Sequence, residues 1–203
     1  MKGKRIWEIG GFLAGAVLIL FGAAAIYMGV DGRNTVRDSL KDEQVFFSTA
    51  EDQDAATDKY ASEWYGEQVT SGDQARAFAS IMREHQLERT EGLTYAQMGR
   101  FESAANPQDP KGTSDEAAAA KDEAGQPISN SARNIWVTET ALTTALNMSY
   151  MAEQLSIFGI VVGVALLLTG IGLLILALAV LGGRFREEAA VPAAVPTKVA
   201  TGH

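Results

Sequence analysis

The sequence predicts an all-α membrane protein: a two-helix transmembrane hairpin with a small helical extracytoplasmic domain between the spans. Three observations predict it. Apolar residues make up 47% of the 203, and they are concentrated in two blocks, Ile6 to Val30 and Leu155 to Gly183. Each block exceeds the roughly 20 residues that cross a bilayer core. Lys2, Lys4 and Arg5 precede the first block and Arg184 and Arg186 follow the second, which by the positive-inside rule places both termini in the cytoplasm. Arg33 and Arg37, on the far side of the first block, pull weakly the other way. The intervening stretch, Asp31 to Ala152, holds 21 Asp and Glu against 11 Lys and Arg, a net charge of −10.

Taken in order, residues 1–8 form a short cytoplasmic N-terminus and 9–30 the first span. Ile9 to Val30 is free of charge, and Glu8 sits beside Trp7 where a carboxylate reaches water and an indole prefers the interface. A cleaved signal peptide is the alternative, since basic residues precede the block and Ala23 to Ala25 are small. The block is longer than an ordinary signal-peptide core, which favours a retained signal-anchor. Residues 155–183 form the second span, with no charge from Ile157 to Leu181. Gly11 and Gly15 are four apart, as are Gly159 and Gly163, and Gly22, Gly170 and Gly172 add to them. Such spacing lets two helix backbones approach, although glycine is common in membrane helices in general. No ionisable side chain lies deep in either span, which speaks against an ion path through this chain.

Residues 31–154 form the acidic domain. Val36 and Leu40 share a helical face, and Val45 to Thr49 reads as an extended piece. Glu51 to Glu63 reads as a loop or weak helix. Asp73 to about Arg89 is the best local helix: Ser71 stands three before Gln74 as in a capping box, Asp73 favours the first turn, and Ala75, Phe78, Ala79 and Met82 share one face. Gly92 is its stop signal. A short helical turn from Tyr95 to Arg100 starts at Thr94, with Gln97 as box partner. Residues 103–130 are rich in breakers, including Asn106-Pro107, Pro110 and Gly125, and read as a mobile excursion. Ser131 to Gln154 is again helical, with Ile135, Leu142, Leu146 and Ser149 on one stripe, and no breaker separates it from the second span. The tail, 184–203, carries a Val-Pro-Ala-Ala-Val-Pro run and is expected to be disordered.

Composition excludes several functions. The acidic domain repels phosphates, so no nucleic acid is an expected partner. Absence of cysteine removes disulfides, cysteine–zinc sites and iron–sulfur clusters. His85 is the domain's one histidine. It lies near an apolar face and reads as a packed histidine bonded to a neighbouring carboxylate or backbone group. Its competing role, as a metal ligand with Glu84 or Glu88, lacks the three or four ligands zinc requires. Glu51, Asp52, Asp54 and Asp58 lack the glycine and terminal glutamate of a calcium loop. No Gly-x-Ser-x-Gly or phosphate-cradling glycine motif occurs. No metal, cofactor or catalytic residue is therefore assigned. Trp64, Tyr65 and Trp136 are large aromatics in a small polar domain, and serve either as its core or as an interaction surface.

The run Gly66-Glu67-Gln68-Val69, then Ala75 to Leu87 ending in His85-Gln86-Leu87, then Thr94-Tyr95-Ala96-Gln97, resembles a family of small actinobacterial two-span membrane proteins. The motif positions are His85, Leu87, Thr94 and Tyr95, over about 35 residues plus the span layout. Gln97 departs from the family's Glu, and the 103–130 excursion is longer than its pattern. Members often carry the label of aromatic ring-opening dioxygenase. Such an enzyme needs a non-haem iron held by two histidines and a carboxylate, and the second histidine here is His203, in the tail. The resemblance thus implies a topology rather than a reaction. The function expected is that of a non-catalytic envelope protein in the plasma membrane. It would be an accessory or scaffold subunit whose partners are the lipid bilayer and other membrane proteins or further copies of itself. The alternative is an extracytoplasmic sensor of a ligand or cation.

Overall fold

The computed structural model describes residues 2–189, with side chains from 9 to 179. The tail residues 190–203, and the flanking Lys and Arg side chains that argue orientation, lie outside that description. The elements are α1 (Lys2–Asp42), α2 (Ala55–Ala61), α3 (Gly72–Arg89) and α4 (Ser131–Ala189), with 3₁₀ turns at Ala50–Asp52 and Tyr95–Gln97. Among the described residues there is no β-strand, only isolated antiparallel bridges. Both α1 and α4 contain a stretch long and apolar enough to cross a membrane. α4 runs unbroken for 59 residues, six beyond the expected boundary at Gly183, because no proline interrupts it before Pro192.

The described residues divide into two compact units: an apolar one of 2–28 with 159–189, and an acidic one of Gly29–Phe158. In the apolar unit the helices run antiparallel, with Gly15 against Gly170 and Gly22 against Gly163. A Cβ on Gly22 would stand 2.7 Å from the Gly163 carbonyl oxygen, and one on Gly15 2.8 Å from that of Gly170. Ile19, Ile26, Leu167 and Leu174 fill the space beside these contacts. The spacing within each helix is therefore seven, not the four expected from Gly11–Gly15 and Gly159–Gly163. Gly11 has nothing within 4 Å, and a Cβ on Gly159 would make only an ordinary 3.8 Å contact. A seven-residue repeat keeps one face in register along a pair that coils left-handedly, whereas a four-residue repeat suits a right-handed crossing.

The acidic unit is built around an extended pairing that the sequence places at 45–49. Val69 N–H donates to Val45 O (2.8 Å), Phe47 N–H to Glu67 O (2.9 Å) and Gly66 N–H to Ser48 O (3.1 Å). Side chains alternate along it, so Phe47 is buried and Phe46 exposed. Phe47 joins Leu40, Ala56, Ala61, Val69, Ala75 and Ile81 in the core, with Trp64, Phe78 and Leu146 packed against them. The Trp64 ring stacks on Phe47 at 5.8 Å, and Phe78 meets Phe47 edge-on at 5.7 Å.

α3 begins as its sequence dictates. Ser71 Oγ accepts from Gln74 N–H at 3.3 Å. The reciprocal half reaches one residue further back than a capping box does, with Gln74 Oε1 accepting from Thr70 N–H at 2.8 Å. The helix ends at Arg89, and Gly92, at φ +82°, returns its N–H to Leu87 O at 2.7 Å. The Thr94–Gln97 box forms at both ends, yet the turn stops at Gln97 rather than reaching Arg100.

Residues 99–130, in which no periodicity is legible, fold back on themselves through backbone bonds. Phe101 exchanges two bonds with Thr113 (2.9 and 2.8 Å), Glu102 N–H reaches Ile128 O (2.9 Å), and Ala120 N–H reaches Glu102 O (2.8 Å). Side chains of Asn106, Asp109, Asp115 and Asp122 each close a turn by accepting from a backbone N–H two residues on. Asn130 gathers the ends: its amide donates to Gly99 O (3.1 Å) and Pro110 O (3.0 Å), while its carbonyl oxygen caps α4 at Arg133 N–H (3.3 Å).

Candidate functional site

The acidic unit is organised by one carboxylate. Glu153 of α4 is 8% exposed and accepts from Arg33 of α1 (3.1 Å from NH2) and from the backbone N–H of Gly72, the first residue of α3. A negative charge at a helix N-terminus meets unpaired N–H groups and the positive end of the dipole. Gly72 is needed for this approach, since a Cβ there would lie 2.8 Å from Glu153 Oε2 and 2.9 Å from Tyr150 Cα. Glu153 thus ties α3 to both long helices.

Beyond this clasp, arginines of α3 also lie against α4. The Arg76 guanidinium sits 4.7 Å over the Tyr150 ring and that of Arg83 4.2 Å over Trp136. Arg89 pairs with Glu139 at 2.8 Å. This seam adds to the expected stripe on α4, of which Leu142, Leu146 and Ser149 line one cavity with Phe78 and Met82 of α3 while Ile135 is exposed. Trp136, Glu139, Tyr150 and Glu153 also take inward positions, where cation–aromatic stacks and ion pairs join the two helices beside the Leu146 contact with the core.

A second polar cluster holds α2 to α3. Asp54 is the N-cap of α2, accepting from Ala56 N–H (3.1 Å), Thr57 Oγ1 (2.6 Å) and, at 3.5 Å, Ser48 Oγ, and it also bonds to His85 Nε2 (2.9 Å). Burial alone would raise the Asp54 pKa, but the bonds from Thr57, His85 and Ala56 outweigh it and hold the carboxyl below its ordinary value. Glu84 turns away from His85 toward Lys59 (3.1 Å) and Tyr60 (3.0 Å), and its pKa is lowered by the bond from Lys59 and then that from Tyr60. Tyr65 donates to Asp58, which raises the phenol's pKa. His85 is therefore one side of a carboxylate pair, and among the described residues no three or more potential ligands gather to hold a metal.

The Asp54 cluster has a pH signature. A carboxyl whose folded pKa is lowered stabilises the fold above its unfolded value, and that stabilisation is lost as pH falls through the folded value. Asp54→Asn keeps a cap acceptor but removes the charge that faces His85, and is expected to lower the melting temperature at neutral pH by the equivalent of about 1 kcal/mol. Its deficit against the parent protein should shrink as pH drops below about 4. Thermal melts of both proteins across that range check this; a deficit independent of pH would contradict it.

Two surfaces of the unit are apolar. A cavity of about 350 Å³, lined by Leu40, Val45, Val69, Phe78, Met82 and Leu146 among others, carries Ser39, Glu43 and Ser149 at its polar positions. The second is the face of α4 turned away from α3. From Asn134 to Phe158 the helix has two charged residues, Glu139 and Glu153, and both are spent on the inward pairs described above.

The candidate residues read from sequence do not form one constellation. Trp136 is buried beneath Arg83, Trp64 is half-buried on Phe47, and Tyr65 is half-buried with its hydroxyl on Asp58. Of the motif residues, His85 faces α2. Leu87 is half-buried, Thr94 caps its own turn, and Tyr95 lies under the Arg133 guanidinium at 4.1 Å. Sequence reading missed Glu153 and Asn130, whose partners are distant in the chain; the signal open to it was Glu153 as the one charge in the run from Thr140 to Gly183. The chain matches no protein-family model, no curated protein and no solved structure in these comparisons.

Proposed function

We propose that this is an integral membrane protein of the cell envelope that acts by contact rather than by catalysis. α1 and α4 cross the plasma membrane as a hairpin, both termini are cytoplasmic, and the acidic unit stands outside as an accessory or scaffold module of a membrane complex. The exposed apolar side chains of the apolar unit, such as Leu20, Phe21, Leu168 and Ile175, suit lipid. The observation that carries the reading is the uncharged face of α4 in a domain of net charge −11. A solvated helix face ordinarily carries charge, and an apolar one calls for a partner. The resemblance noted in the sequence supports the same topology.

The cavity of about 350 Å³ supports a second reading, a sensor that takes an apolar ligand, since its size is at the lower end for small-molecule sites. Purification of the tagged full chain at native level in mild detergent, with identification of what co-elutes, separates the two. A stoichiometric membrane protein, or further copies of this chain, is the expected result. A lone monomer carrying a bound small molecule would overturn the contact reading in favour of the sensor.

A further inference from the structure

The uncharged face of α4 carries a regular pattern. Val137, Ala141, Thr144, Met148, Met151, Leu155 and Phe158 follow one another at steps of four and three, a seven-residue repeat. All seven are exposed, and the five large apolar ones run from 53% at Val137 to 70% at Leu155. At 100° per residue they lie opposite the inward side that holds Glu139, Tyr150 and Glu153. Apolar and small residues at this 3.5-residue period suit the seam of a helix that coils around another helix. The first five positions precede the apolar block that begins at Leu155, so lipid does not account for them.

We propose that this stripe is where two copies of the chain meet, α4 against α4, parallel and about a two-fold axis. The proposal rests on the membrane topology put forward above, which gives every copy the same orientation and so makes the pair parallel. Charge argues for a second copy. The acidic unit repels its own image wherever carboxylates face carboxylates, and along this stripe there are none. An isologous contact needs a surface complementary to itself, and an uncharged run of Ala, Thr and Met set in register with its own repeat meets that need. Ala141 and Thr144 let the backbones come close in the middle, and the longer Met148 and Met151 fill the seam below them.

The chain has no cysteine, so single cysteines report without background. Full-length Ala141→Cys, Thr144→Cys, Met148→Cys and Met151→Cys, oxidised in lipid vesicles, should each yield disulfide-linked dimer. Thr138→Cys, exposed on the same helix but about 110° around from the stripe, should remain monomeric. Met148→Glu should keep the parent's helix content by circular dichroism, because the side chain is exposed within one copy, and should raise the dimer dissociation constant by about a hundredfold through facing carboxylates. Equal cross-linking at Thr138→Cys would mark random collision and overturn the proposal. Monomer in complex with a different membrane protein would overturn it while leaving the accessory reading standing. Monomer with nothing bound would overturn both.

Discussion

Glu153→Ala should cost the acidic unit about 2–3 kcal/mol, the range for losing hydrogen bonds to a buried charge. The residue is 8% exposed and no other acceptor in the described structure meets the Gly72 N–H. Arg33 contributes less, because its side chain is 51% exposed and water can replace the lost partner. The loss should therefore be felt first at the N-terminus of α3. Hydrogen exchange of the full chain should show protection falling across Gly72 to Arg76 while Ala79 to Gln86, held by the core and by α2, changes less. Glu153→Gln keeps an acceptor but not the charge and should fall between. Unchanged exchange at Gly72 in the alanine variant would mean that Glu153 is not the clasp.

Gly22→Val should separate the apolar helices, whereas Gly11→Val should not. A Cβ at Gly22 meets the backbone of Gly163 and Leu167 at 2.7 and 2.8 Å, and backbone has no rotamer by which to yield. At Gly11 the same atom meets open space. Overpacking of this kind costs about 1–3 kcal/mol when side chains can adjust, and the upper end is expected here. Spin labels at the exposed positions Leu20 and Leu168 would read the separation directly. A longer or broader distance distribution is expected for Gly22→Val and none for Gly11→Val. The reverse order would restore the four-residue spacing as the packing motif.

These two sites show what a single sequence can and cannot disclose. Both apolar helices, the Ser71 cap, the Thr94–Gln97 box and the unbroken α4 were legible because each depends on residues within a few positions of one another. The glycines were legible as a set, but not their pairing. Whether Gly15 works with Gly11 or with Gly22 depends on the partner helix's direction and coil, which no local pattern encodes. Glu153 and Arg33 lie 120 residues apart, and Asp54 and His85 lie 31 apart. Their pairing is a product of the tertiary fold. The inward side of α4 was legible only in part for a related reason. Apolar periodicity finds aliphatic contacts such as that of Leu146, and not the arginines laid on Trp136 and Tyr150.

The bond from Asn130 N–H to Arg100 O, 2.9 Å, has an evolutionary consequence. It sets the two ends of the excursion side by side, so the path from α3 to α4 is fixed whatever hangs between them. Chain length there is nearly free to drift, since each doubling of a closed loop adds only about 0.6 kcal/mol. Homologous lineages can shorten or embellish this ornament without disturbing the helices beneath it. For the same reason, the turn at Gly125 is the place to graft a reporter or an epitope.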